Sequence, residues 1–83
     1  MDDLLDLCAV LRGYIHADDY WVTVKATELT ALLDATEGTD ALAPFDRKVL
    51  RKAVAKHDYW MPVKVTELTA LIDHIEATRG VTP

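Results

Sequence analysis

Apolar positions Leu4, Leu5, Leu7, Cys8, Leu11, Tyr14 and Ile15 recur at helical spacing and predict an amphipathic helix from Asp3 to about His16. Asp2, Asp3 and Asp6 sit in its first turn, where the helix dipole favours negative charge. After a polar break, Tyr20-Trp21-Val22-Thr23-Val24 is ambiguous, because its aromatic and β-branched residues also suit a short strand. Helical spacing then runs to Glu37, with Gly38 as a stop. Phe45, Val49, Leu50, Ala53 and Val54 mark a third helix from about Pro44 to Lys56. Val65, Leu68, Leu71, Ile72 and Ile75 form the core stripe of a fourth, ending before Gly80.

The second half repeats the first. The stretch from Asp19 to Asp34 returns as Asp58 to Asp73, with changes only at Val22/Met61, Thr23/Pro62, Ala26/Val65 and Leu33/Ile72. The copy bears on the ambiguous stretch, because Pro62 stands where the first copy has Thr23. Proline is excluded from a central strand and welcome at a helix start, so helices are expected to begin near Thr23 and Pro62. The expectation is an all-α protein: a tandemly duplicated helix–turn–helix hairpin forming one compact four-helix bundle. The single domain would comprise two repeats, about 3–38 and 42–80, related by a pseudo-two-fold axis. Leu29, Leu32, Leu68 and Leu71 are expected at its centre.

The copies have diverged unevenly. The first and third helices share little beyond Val10/Val49, Leu11/Leu50 and Arg12/Arg51, whereas the second and fourth keep an outward-facing Thr27, Ala31, Asp34 and Thr66, Ala70, Asp73. That face either reflects recent duplication or is a contact surface. The Tyr20-Trp21 and Tyr59-Trp60 tips are kept too. They serve as staples under the turn or as interface anchors, because Trp and Tyr dominate binding hot spots.

Charge adds a second asymmetry. Residues 1–38 carry eight acids against two bases, and residues 39–83 carry seven bases against six acids, which together give the net −5. Much of the difference is the run Arg47, Lys48, Arg51, Lys52 and Lys56 on the third helix. Such a run is either a solvated face, a contact for an acidic protein, or a nucleic-acid contact that the overall charge opposes.

No apolar run reaches the roughly 20 residues a bilayer crossing needs. The opening Met1-Asp2-Asp3-Leu4 lacks the basic start of a secretory signal, and the single cysteine, Cys8, suits a reducing cytoplasm. His16, His57 and His74 show no metal-ligand spacing. No phosphate loop, nucleophile elbow or paired-carboxylate motif is present, so neither an enzyme nor a cofactor is expected.

The segment Val63-x-Val65-x-Glu67-Leu68-x-Ala70-Leu71-Ile72-Asp73, with its earlier copy, resembles the terminal helix of short accessory proteins from bacteriophage early regions. The resemblance is confined to this segment in each copy, and the first and third helices add nothing to it. It implies a host-directed protein acting in the bacterial cytoplasm by binding, as an inhibitor or adaptor, and brings no catalytic residues. The leading expectation is therefore a non-catalytic protein-binding module. A nucleic-acid-binding regulator using the third helix and a homodimeric structural module are the alternatives.

Overall fold

The computed structural model describes residues 3–16, 18–57 and 59–79. Two elements that the hydrophobic pattern predicts are present: α1 (Asp3–Tyr14) and α3 (Pro44–Lys56), the latter with its proline in the first turn. The other two helices begin later than expected, as α2 (Ala26–Ala35) and α4 (Val65–Arg79). The residues before them are strands, β1 (Trp21–Lys25) and β2 (Trp60–Lys64), paired as a two-stranded antiparallel ribbon. The protein is mixed α and β, which overturns the all-α four-helix bundle.

The error lies in what Pro62 forbids. The ladder continues past the strands through bonds from Val65 N–H to Tyr20 O (2.9 Å) and Ala26 N–H to Tyr59 O (2.7 Å). Alternation along an antiparallel pair then makes Thr23 opposite Pro62 a non-hydrogen-bonded pair, whose N–H positions point away from the partner strand. A two-stranded ribbon has only edges, so a proline there removes no ladder bond. Val22-Thr23-Val24 is then free to follow its β-branched preference.

Thr23 and Pro62 are equivalent positions of the two repeats and also face each other, so the pseudo-two-fold axis passes between them. Val22, Val24, Met61 and Val63 point inward and are buried, while the alternate residues lie on the outer face. Each strand enters its helix without a loop, since Ala26 and Val65 are at once the first helical residues and the last ladder donors.

Helix packing crosses the repeats. α1 lies chiefly against α4, and α3 against α2, so the expected pairing of two helices within one repeat gives way to pairing between repeats. Equivalent ion pairs tie both contacts. Arg12 on α1 meets Asp73 and Glu76 on α4, while Arg51 on α3 meets Asp34 (2.8 Å) and Glu37 (2.7 Å) beside α2. Both guanidiniums are held above their usual range, Arg12 first by Glu76 and then Asp73, Arg51 first by Glu37 and then Asp34. The core fills the space between the ribbon's inner face and the helices, with Leu29, Leu32, Leu68 and Leu71 fully enclosed.

One buried joint differs between the halves. At the end of α2, Thr36 is completely buried, and Arg47 donates to its carbonyl (2.9 Å), to its hydroxyl (3.0 Å) and to the Leu33 carbonyl (2.9 Å). In the opposite repeats the equivalents of Arg47 and Thr36 are Cys8 and Ile75, both buried in the core. One half holds a hydrogen-bonded arginine and threonine at these positions, and the other holds Cys8 and Ile75 within the core. Past Thr36 the chain turns at Gly38, whose positive φ of 81° suits a residue without a side chain.

Candidate functional site: the aromatic ribbon face and its adjoining groove

Strand alternation puts Trp21, Thr23 and Lys25 on the ribbon's outer face, with Trp60, Pro62 and Lys64 beside them. The antiparallel register sets Trp21 opposite Lys64 and Trp60 opposite Lys25. Each lysine consequently reaches over the aromatic pair of the other repeat. Lys25 Nζ lies 5.4 Å from the Tyr59 ring centre and 5.8 Å from that of Trp60. Lys64 Nζ lies 5.8 Å from Tyr20 and 5.9 Å from Trp21. Within each pair the rings meet edge to face, 5.5 Å apart for Tyr20–Trp21 and 5.2 Å for Tyr59–Trp60.

These cation–ring contacts orient the aromatics without covering them. Tyr20, Trp21, Tyr59 and Trp60 each keep about half of their surface exposed. The rings are thus neither packed away under the turns nor fully free of their neighbours. Four rings fixed by neighbours and open to solvent lose little conformational freedom when covered.

Next to Trp21 the surface dips into a groove of about 310 Å³ between α3 and β2. Phe45, Val49 and Ala53 form one wall; Trp21 and Pro62 form the other. Phe45 and Val49, two of the apolar residues that mark the third helix in the sequence, lie at the surface, with Phe45 74% exposed. Asp46 and Glu67 also line the groove. Burial pushes the Glu67 carboxyl above its usual range, Asp46 raises it further, and Lys64 offsets part of the rise.

The other residues singled out in the sequence divide. Thr27 and Thr66 are exposed, and Ala31 and Ala70 are half-buried. Asp34 and Asp73 are occupied by Arg51 and Arg12, so their retention in both copies has a structural reason in the inter-helix ion pairs. The basic run on α3 is thinner than its composition suggests. Arg47 is a buried joint and Arg51 an ion-pair partner, which leaves Lys48, Lys52 and Lys56 at the surface.

Sequence reasoning missed the groove and the roles of Lys25 and Lys64. The signal lay in differences between the copies, where Phe45, Asp46 and Ala53 replace Asp6, Leu7 and Tyr14. No group of three metal-ligating side chains converges among the described residues, and no described helix is long and apolar enough to cross a membrane. No family model, curated protein or solved structure matches the chain.

Proposed function

We propose that this chain is a non-catalytic binding module that docks on another protein through the outer face of its ribbon. The carrying observation is the symmetric exposure of Tyr20, Trp21, Tyr59 and Trp60, each pair oriented by a lysine from the opposite strand. Trp and Tyr are the residues whose burial contributes most at protein interfaces. Exposed apolar side chains, Phe45 and Val49, extend the surface beyond Trp21.

A two-stranded ribbon also has the dimensions to enter a DNA major groove. Charge favours the protein reading. The chain carries −5, the ribbon lysines lie over rings, and the two α3 arginines are engaged internally. Strong phosphate binding draws on about 6–10 cationic contacts.

The test is capture from cell lysate by tagged wild type, Trp21→Ala and Trp60→Ala, with circular dichroism confirming that both variants fold. A protein retained by wild type and lost by the variants supports the reading. Equal capture by all three, or retention only of nucleic acid, contradicts it. Sedimentation of the purified chain separates a foreign partner from a second copy on the same face.

A further inference from the structure

We propose that the groove between α3 and β2 receives an arginine or lysine side chain presented by an apolar segment of the partner protein. The inference rests on the protein-binding reading and names the chemistry that one part of the surface recognises.

Comparison of the two repeats carries it. The pseudo-two-fold relates this groove to the contact of α1 with β1, where Tyr14 occupies the place of Ala53. Tyr14 packs against the core on α1, which contacts β1, the strand that carries Lys25, the counterpart of the groove-lining Lys64. Truncation of that position to Ala53 leaves space in the second repeat. Two further differences mark the same place. Leu7 becomes Asp46, which puts a carboxylate at the groove. Glu28 accepts a bond from the Lys25 backbone N–H (3.3 Å), capping α2, whereas its counterpart Glu67 makes no hydrogen bond or ion pair to a described residue.

The result is an apolar slot containing two carboxylates. Lys64, the nearby cation, has its ammonium over the Tyr20 and Trp21 rings and is not paired with either acid. A long side chain with an apolar stem and a cationic head matches the slot end to end. The stem lies against Phe45, Val49 and Ala53. The head meets Asp46 and Glu67 through charge-assisted hydrogen bonds and stacks on Trp21. A volume of about 310 Å³ has room for one such side chain. An acidic side chain would meet two like charges there. Because only the second repeat has this construction, each chain offers one such site, and the partner reads a symmetric ribbon with an asymmetric margin.

The experiment is amide and indole NMR of the full chain titrated with blocked pentapeptides, in which arginine, glutamine or glutamate stands between two leucines. The arginine peptide is expected to shift the Trp21 indole and residues of 45–53 and 62–67, and to bind at least about tenfold more tightly than the glutamine peptide. Glu67→Gln, an isosteric change, should remove that preference. Ala53→Tyr, which restores the residue of the first repeat, should abolish the shifts while the chain stays folded. Equal binding of the three peptides, preference for glutamate, shifts confined to Trp60 and its neighbours, or stronger displacement of the same resonances by a single-stranded oligonucleotide would each overturn the proposal. If the peptides fail while Trp21→Ala and Trp60→Ala still abolish capture of a protein, the groove chemistry is wrong and the binding-module reading stands.

Discussion

Arg47 and Thr36 close a buried joint at positions that the other half of the chain fills with Cys8 and Ile75. The two solutions are alternatives, because each residue suits only its own partner. Arg47→Cys alone removes the bonds that the guanidinium donates to the Leu33 carbonyl and to the Thr36 carbonyl and hydroxyl, and should cost about 1–3 kcal/mol, although the Thr36 carbonyl keeps its bonds from Thr39. Thr36→Ile alone removes the hydroxyl that Arg47 contacts. The double variant Arg47→Cys/Thr36→Ile places the residue types of the other half at both positions and should be more stable than the two single losses added together. Chemical denaturation of all four proteins measures the coupling. Strict additivity would mean that the joint is not a unit.

The ribbon geometry separates tolerated from damaging prolines. Thr23→Pro falls on the outward N–H of a non-hydrogen-bonded pair, as Pro62 already does, and should leave the melting temperature close to wild type. Val63→Pro removes a ladder donor from a fully buried position and should cost at least about 1 kcal/mol. Comparable melting of the two variants would refute the register.

Leu68 is fully enclosed among the helices and the inner ribbon face. Leu68→Ala should cost roughly 2–5 kcal/mol, a large share of the roughly 5 kcal/mol available to a domain of this size. Thr66→Ala, at a nearby exposed position, should change little. Thermal melts of both variants check the contrast.

Burial and then Asp46 raise the Glu67 carboxyl in the folded state. A carboxyl whose folded pKa lies above its unfolded value binds its proton more tightly when folded. Its contribution to stability is therefore complete at pH values below the unfolded pKa and is lost as pH rises through the folded one. Glu67→Gln should accordingly melt higher than wild type at neutral pH, with the difference shrinking as acid protonates Glu67 in the parent. Melting curves across the acid range test the sign, and a difference that grows on acidification would reverse it.

The legibility of the sequence follows from which interactions are local. The α3 helix reads directly from its apolar spacing and Pro44, and α1 from its spacing and acidic first turn, because both signals are contained in the segment. The ribbon is not local. Whether Pro62 harms a strand depends on which side of it a partner lies, and that partner belongs to the other repeat. The aromatic tips stand out as repeated Trp and Tyr, yet the cation above each comes from the other strand, through a register no single segment encodes. Asp34 and Asp73 read as an unexplained outward face because their arginines sit on helices assigned to separate hairpins. The groove is written only as differences between the copies, Tyr14 against Ala53 above all. Those differences gain meaning once the two-fold axis places the positions in equivalent surroundings.

The ribbon face as a docking surface is tested most directly through the chain's two tryptophans, both of which lie on it. Fluorotryptophan labelling should yield two fluorine resonances, one for Trp21 and one for Trp60, each sensitive to exchange of water for heavy water in the isolated chain. On adding the captured partner, both resonances should move and lose that solvent sensitivity. Resonances that keep their positions and their solvent response in the complex would show that the partner binds elsewhere, and would contradict the assignment of this face.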